Sequence, residues 1–516
     1  RNEIGKNFYV IGNNWLKKSK TGLWELYVEG GPFERGVIIG KLTKELIEKQ
    51  EVCFVEEIQK LIPSKWYMNF LKYIVAWFNR DMDKFMDEEY KNEIYGISIS
   101  ASDEFDFIGK KYQRLLNYHA AHDIGHALQD RNYVPGCTSF SAWDTLTDDH
   151  TLIVGRNFDF YAGEAFAEDK IVCFYNPDNG NKFMMVTWGG MAGCVSGMND
   201  KGLTVTINAG KSDVPLKSAT PISLVAREIL QYAGNIQEAY TIAAKRQTFV
   251  SEAIMIGSAA DNKTAIIEKS PSKIGIKFSS DDYIICSNHF QSDSFANDPL
   301  NIENIRDSDS PYRYKRMKEL INKHQKIRVA DAAAILRNRM GLNDSEIGMG
   351  NPKAINQLIA HHSVIFKPEK HLVWVSTNPW QLGEYVCYDL EMVFNKLSGL
   401  QKDTEITSGS LAIPADTFLY SDTFRKYKRS MVIKNIITET LNGGEMINFT
   451  DENIDEFINS NPHYYSVYSL LGDYFIKMKD PDKAVKYYKM ALEKEIPCKE
   501  DVELIDKKIA MAIKDE

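Results

Sequence analysis

Two stretches of this sequence carry reactive side chains close together in the chain: Val134-Pro135-Gly136-Cys137-Thr138-Ser139-Phe140 and Gly155-Arg156-Asn157-Phe158-Asp159-Phe160. Pro135 and Gly136 make a tight turn that leaves the Gly136 carbonyl sterically open, and the next residue supplies a thiol. An arginine follows 19 residues after Cys137 and a carboxylate 22 residues after it. Antiparallel pairing of the two stretches returns Arg156 and Asp159 to Cys137. There a cation favours the thiolate, and a carboxylate can orient an amine. Each residue also has a plainer reading. A cysteine opening a strand is often core, and an arginine and aspartate at this spacing equally fit a structural ion pair.

These side chains need a scaffold, and its pattern is legible. Segments 137–143, 151–157, 170–175, 183–188, 203–208, 253–258 and 264–269 are short and rich in β-branched and aromatic residues, with Gly, Asn and Asp between them. They predict a many-stranded sheet. Helical spacing returns at 221–232, 236–245, 312–322 and 330–339, and two further strands are expected at 363–367 and 372–377. The order of elements predicts an α+β fold of stacked layers with a mainly antiparallel sheet.

On either side the pattern is helical. Residues 24–130 are read as mostly helix, with aromatic residues including Trp66, Tyr67, Phe70 and Trp77 that serve as core or as an apolar acyl pocket. Past about residue 389 the strand pattern stops, 399–410 is polar and irregular, and helical spacing resumes at Phe424. Residues 465–497 resemble one tetratricopeptide unit, with Tyr468, Leu471, Gly472, Phe475, Ala484, Tyr488 and Ala491 in the expected places. Such a unit cannot bury its face alone, so it is expected to pack on the helices beside it.

Composition narrows the function classes. The 516 residues are 44% hydrophobic and 26% charged, which is ordinary for a globular chain long enough for two domains. A formal net charge of −9 without a dense basic run argues against a nucleic-acid footprint. Apolar runs such as Tyr73-Ile74-Val75-Ala76-Trp77-Phe78 fall far short of the roughly 20 residues of a spanning helix. The seven cysteines are dispersed without a Cys-x-x-Cys pair, which fits neither a disulfide scaffold nor a zinc ribbon. Because the sequence begins at Arg1 rather than Met, loss of an export signal is one expectation, which slightly favours a periplasmic or cell-envelope location over a cytoplasmic one.

Gly136-Cys137-Thr138-Ser139-Phe140 with Gly155-Arg156-Asn157-Phe158-Asp159 resembles the N-terminal nucleophile hydrolases of the choloylglycine hydrolase and penicillin acyltransferase type. It is most similar to the acyl-coenzyme A:6-aminopenicillanic acid acyltransferase branch, peptidase family C45. Glu29-Gly30-Gly31-Pro32-Phe33-Glu34-Arg35-Gly36 is similar to the Gly-x-Pro-x-x-x-Gly signature of that branch. Asn199-Asp200-Lys201-Gly202-Leu203 leading to Asn208, and Cys286-Ser287-Asn288-His289-Phe290, match two later segments. Ser310-Pro311-Tyr312-Arg313-Tyr314-Lys315-Arg316 and His362-Ser363-Val364-Ile365-Phe366 match the last two.

The resemblance implies a four-layer αββα sandwich and self-cleavage between Gly136 and Cys137. Cys137 then carries both the thiol and a new α-amine, Arg156 favours the thiolate and Asp159 holds the amine. Asn288, with backbone near Asn208, forms the oxyanion hole. Without the resemblance, Asn288 could cap a turn and Asn208 could end a strand. Arg313 and Arg316 are either solvated helix residues or binders of a substrate carboxylate, and Ser310 reads as the first residue of a helix.

A rival pattern is His119-x-x-His122-x-x-x-His126, whose spacing puts three imidazoles on one helical face. No metal or other cofactor is expected: Asp123 lies among these histidines, but there is no His-Glu-x-x-His pattern, and the residues better fit packing near the cysteine hairpin. The expected organisation is a helical segment 1–136, released but retained after self-cleavage, a sandwich core 137–395, a linker 396–423 and a helical tetratricopeptide-like region 424–516. The expected function is cleavage of a linear amide in an N-acylated small molecule through an acyl-enzyme. Acyl transfer to an amine, and hydrolysis of N-acylethanolamine-like or ceramide-like lipid amides, are the related alternatives. An inactive assembly protein, working through a protein partner or self-association of the repeat, is the alternative from another class.

Overall fold

Alternation of apolar side chains builds two sheets. In the computed structural model, residues 1–61, 79–119, 136–161, 163–213, 218–396, 398–402 and 404–514 are described. Strands run at β1 (Asn2–Gly5), β2 (Phe8–Ile11), β3 (Asn14–Lys18), β4 (Trp24–Gly30), β5 (Thr138–Ala142), β6 (Ile153–Phe158), β7 (Ile171–Pro177), β8 (Phe183–Thr187) and β9 (Ser196–Asn199). They continue at β10 (Leu203–Ala209), β11 (Glu252–Ser258), β12 (Lys263–Lys269), β13 (Ile274–Phe278), β14 (Tyr283–Cys286), β15 (His362–Lys367), β16 (Leu372–Ser376) and β17 (Tyr385–Asp389). The first sheet has 11 strands in the order β1-β2-β3-β4-β7-β8-β9-β10-β11-β12-β13, and the second has six in the order β14-β5-β6-β15-β16-β17. Pairing is antiparallel except between β4 and β7.

The helices are α1 (Pro32–Leu42), α2 (Lys44–Leu61), α3 (Glu88–Ser98), α4 (Lys111–His119), α5 (Ile222–Tyr232), α6 (Ile236–Lys245), α7 (Pro299–Asp307), α8 (Ser310–Asn322), α9 (Val329–Leu336) and α10 (Leu390–Lys396). Trp15, Tyr27, Val154, Phe174, Met184, Val364 and Phe366 fill the space between the sheets. Leu26, Val28 and Ile254 of the first sheet pack with Ile39, Ile94, Leu224 and Ile229 from the helices over its outer face. Phe140, Ile153 and Ile365 of the second sheet pack with Met317, Leu320, Ala333 and Leu336 of α8 and α9. Three apolar layers therefore separate four layers of secondary structure. Each fully buried side chain of this kind contributes about 1.5–3 kcal/mol.

The glycine signature explains one close contact. A Cβ on Gly36 would lie 2.1 Å from the Glu93 carbonyl oxygen, and one on Gly96 would lie 2.6 Å from the Phe33 carbonyl oxygen. Small residues on both helices therefore let α1 and α3 meet backbone to backbone. Beside them Arg35 donates to buried Glu93 through Nε at 3.0 Å, and Arg227 reaches the same carboxylate at 3.4 Å. Burial would raise the Glu93 pKa, but Arg227 and Arg35 outweigh it and hold the carboxyl below its ordinary range.

Residues 1–136 are not helical throughout: β1–β4 occupy their start, and β4 falls inside the stretch read as helix. The reason is a period of two. Trp24, Leu26 and Val28 face the helix layer while Tyr27 faces the inter-sheet core. Segment 396–423 is likewise more than a connection, because Leu400 and Ile406 join the inter-sheet core and Ser408 N–H donates to Cys387 O at 2.8 Å.

The C-terminal part comprises α11 (Asp422–Leu441), α12 (Asp451–Ser460), α13 (Tyr465–Lys477), α14 (Pro481–Leu492) and α15 (Lys499–Lys514) around their own apolar cluster. Thr450 and Asp480 cap α12 and α14 by accepting from Asn453 N–H and Lys483 N–H. A Cβ on Gly472 would fall 2.3 Å from the Tyr488 ring, so this glycine sets the approach of α13 to α14. The unit is fastened to the sandwich at segment 337–361. Asn461 accepts from Met349 N–H and donates to Met349 O, both at 2.9 Å, and Asn351 Nδ2 donates to Glu495 O at 2.9 Å.

Candidate active site

Alternation along β5 and β6 decides which side chains meet. Ser139 pairs with Arg156 and Thr138 with Asn157. Arg156 and Ser139 point toward the first sheet, where Ser139 Oγ donates to Asn208 Oδ1 at 3.0 Å. Thr138 and Asn157 point the other way: Arg313 of α8 donates to Thr138 Oγ1 at 2.8 Å, and Asn157 Nδ2 donates to Leu336 O at 2.9 Å. The hairpin thus gathers polar groups on both faces near Cys137.

Cys137 is 4% exposed. Its Sγ accepts from Arg156 Nη2 at 3.7 Å and from the Asp159 backbone N–H. Arg156 is itself fully buried. Its Nη1 donates to Val195 O at 2.8 Å and to Ser196 Oγ, its other amino group donates to Ile207 O, and its guanidinium lies 4.3 Å over the Phe158 ring. Burial raises the thiol pKa, with Arg156 opposing it. The cation expected to favour thiolate is therefore in contact, yet burial outweighs it.

Asp159 is buried, and burial pushes its carboxyl up to about 7 against the opposing charges of Arg313 and Arg156. Its Oδ2 lies 3.5 Å from Gln357 Nε2, while Oδ1 has no hydrogen-bond donor among the described residues. A buried acceptor without a donor is costly, and a cation or amine at Oδ1 would relieve it.

Asn288 and Arg313 form the other side. Arg313 Nη2 donates to Asn288 Oδ1 at 2.9 Å, and Asn288 Nδ2 donates to Ala209 O at 2.9 Å. Ser310, the first residue of α8, accepts from Asn288 N–H at 2.7 Å. Arg313 Nη1 donates to Cys137 O at 2.9 Å, and Asp309 accepts from Nη2 at 3.1 Å. Both Arg313 and Arg316 are buried, so neither is the solvated helix residue that the sequence also allowed. The Arg313 amino groups are occupied by protein oxygens in this state. Asn208 also holds protein: its Nδ2 donates to Cys286 O at 3.2 Å, tying the two sheets together.

Gly136, Cys137, Arg156, Asp159, Asn288 and Arg313 thus sit around one point, with Asn208 one hydrogen bond away through Ser139. Trp66, Tyr67, Phe70 and Trp77 lie outside the described residues, as do His122 and His126. His119 accepts from Ala192 N–H through Nε2 and donates through Nδ1 to Leu115 O, both at 2.8 Å. Both of its nitrogens are engaged by the fold.

Sequence reasoning missed Gln357, whose Nε2 donates to Gly136 O at 2.7 Å. It also missed the buried His361–His362 pair, which reaches Ser196 Oγ from His362 Nε2 at 2.8 Å. Gln357 sits in a polar loop with no periodic pattern, so nothing local marked it. His362 lay within a quoted segment without a role.

Residues 145–377 match the family model of acyl-coenzyme A:6-aminopenicillanic acid acyl-transferase. The match covers a little under half of the chain. The matched stretch holds Arg156, Asp159, Asn208, Asn288, Arg313 and Gln357 and begins after Cys137. The chain is similar to an uncharacterized protein of Archaeoglobus fulgidus, 25% identical over 274 residues that cover 50% of this chain and 45% of that protein. It is also similar to protein dcd1B of Dictyostelium discoideum, 22% identical over 48% of this chain and 50% of that one. The chain therefore spans about half the length of the curated relatives it matches. A solved Caenorhabditis elegans N-acylethanolamine-hydrolyzing acid amidase ortholog aligns at TM-score 0.33 and 15% identity, covering 45% of this chain and 93% of that one.

Proposed function

We propose that this chain is a self-processing cysteine N-terminal nucleophile enzyme that cleaves a linear amide bond in an N-acylated small molecule. The observation that carries the reading is the Cys137 thiol between Arg156 and the Asp159 backbone, one peptide bond from the Gly136 carbonyl. In the first stage the Cys137 sulfur adds to the Gly136 carbonyl carbon. The carbon–nitrogen bond breaks, and the departing Cys137 nitrogen takes up a proton. Water then opens the thioester, returning the thiol and leaving Gly136 as a carboxylate.

The new α-amine has an ordinary pKa of about 7.7–8.0 and the thiol one of about 8.5, so one residue supplies base and nucleophile. Asp159 Oδ1, a buried acceptor without a donor among the described residues, is where we seat the amine. In turnover the thiolate attacks the substrate amide, the α-amine passes a proton to the leaving amine, and Asn288 donates to the oxyanion. Water resolves the acyl-enzyme. A second amine in place of water would make the protein an acyltransferase, and the matched family's name favours keeping that reading. Phe158, Phe166 and Trp188, which share an apolar cluster with Cys137, are the described candidates for contact with an acyl chain.

We read residues 1–136 as retained after cleavage and α13–α14 as a tetratricopeptide-like hairpin that meets a partner or a second copy. Gly472 against Tyr488 supports the latter. Intact-mass measurement tests the central reading. Wild type should yield fragments 1–136 and 137–516, and Cys137→Ala should remain one chain. N-acyl amides supplied with and without a competing amine then separate hydrolysis from transfer. A wild-type chain that stays whole and releases no acyl group would refute the proposal.

A further inference from the structure

We propose that Gln357 is the oxyanion donor of self-cleavage, its side-chain amide placed on the Gly136 carbonyl oxygen where negative charge develops when the Cys137 sulfur adds. This rests on the self-processing reading above. Its Nε2 already hydrogen-bonds that oxygen at 2.7 Å before any charge develops on it. Among the described residues no other side chain donates to Gly136 O. Arg313 serves the next carbonyl, that of Cys137, and Asn288 Nδ2 serves Ala209 O. The donor set assigned to substrate is therefore distinct from the one on the scissile peptide.

The loop around Gln357 is built to hold it still. Leu358 is buried with φ +57°, a conformation that non-glycine residues adopt at a cost. Asn356 secures it by accepting from Leu358 N–H at 3.0 Å, while Asn356 N–H donates to Asn338 O at 2.8 Å. Asn157, on the hairpin itself, donates to Ile355 O at 3.0 Å. Asn157 at Ile355 and Gln357 at Gly136 thereby join the cysteine hairpin to this loop. Sustained backbone strain beside a preorganised donor is the pattern of a functional position.

The step balances within the chain. The sulfur–carbon bond forms, charge collects on Gly136 O against Gln357, and collapse expels the Cys137 nitrogen, which takes the proton given up by the thiol. Gln357 gains and loses no proton. Its second neighbour is Asp159 Oδ2 at 3.5 Å.

The test follows conversion of freshly folded full-length chain into its two fragments for wild type, Cys137→Ala, Gln357→Met and Gln357→Glu. Methionine keeps the length and loses the donor, and the glutamate variant covers the case in which methionine does not fold. Gln357→Met should fold with the wild-type circular dichroism and be cleaved slower by roughly 10²-fold or more. Hydroxylamine, which intercepts thioesters, should not restore its rate, because the stalled step precedes the thioester. Cleavage at the wild-type rate in either folded variant, or full rescue by hydroxylamine, would overturn the role of Gln357. A wild-type chain that is never cleaved would instead defeat the self-processing reading on which it rests.

Discussion

Arg313 fixes which way the Asn288 amide faces. Its Nη2 takes Asn288 Oδ1 at 2.9 Å, which leaves Nδ2 as the outward donor, now aimed at Ala209 O. The same guanidinium grips Cys137 O and Thr138 Oγ1 through Nη1. One buried side chain thus ties the thiol-bearing residue to the amide that faces it. Replacing Arg313 by methionine should lower turnover by about 10²-fold or more. It should also cost about 3–5 kcal/mol of stability, the usual result of breaking a buried hydrogen-bonded charge. Lysine should not restore activity, because a single ammonium cannot span these oxygens. Steady-state kinetics with thermal melts of both variants checks this.

A methyl group at the cleavage point should act on the same arginine. A Cβ on Gly136 would fall 1.8 Å from Arg313 Nη2. The guanidinium end would have to leave partners at Cys137, Thr138, Asn288 and Asp309. Gly136→Ala should therefore slow self-cleavage well below the wild-type rate, read as a time course of fragment formation. An unchanged rate would mean that Arg313 yields without consequence for processing.

The buried carboxyl predicts a pH signature in the uncut chain. Asp159 is pushed up to about 7, above its ordinary value of about 3.9. The folded state therefore holds this proton where the unfolded chain has released it. Its contribution is fully present below about pH 4 and is lost as pH rises toward 7, at up to about 1.4 kcal/mol per pH unit. In a Cys137→Ala background, Asp159→Asn should remove this part of the slope in urea midpoints between pH 4 and 8. Glu25, also raised to about 7, adds a slope of the same sign, so the difference between the two chains is the quantity to read.

The parts of the fold that were legible were those with a strict period. Segments 203–208 and 264–269 read as strands from β-branched runs and are strands, and 236–245 reads as a helix and is one. β14 escaped because Tyr283-Ile284-Ile285-Cys286 is four residues long, too short to show alternation. β4 alternates over Trp24–Glu29, but it leads directly into the helical spacing of α1, which masks so short a run. Glu25 is buried there against Lys17 of the neighbouring strand and Tyr388, which lies 363 residues further along the chain.

At the site, Cys137, Arg156 and Asp159 stood out by type and spacing on one hairpin. Asn288 and Arg313 came only through family likeness, since their meeting depends on α8 crossing the second sheet. Gln357 was invisible for the same reason, more than 200 residues from the carbonyl it contacts.

The parallel register of β4 on β7 runs from Trp24 opposite Ile171 to Gly30 opposite Pro177, joining strands on opposite sides of the Gly136–Cys137 bond. While that bond is intact, the seam closes within one molecule. Once it is cut, the same seam becomes an interface between two polypeptides. Refolding of the cut protein is then a second-order reaction, and its melting temperature should depend on concentration, as the precursor's should not. Were the bond cut as proposed, unfolding would lose the partner to dilution, and the cut form would be held by its barrier to unfolding.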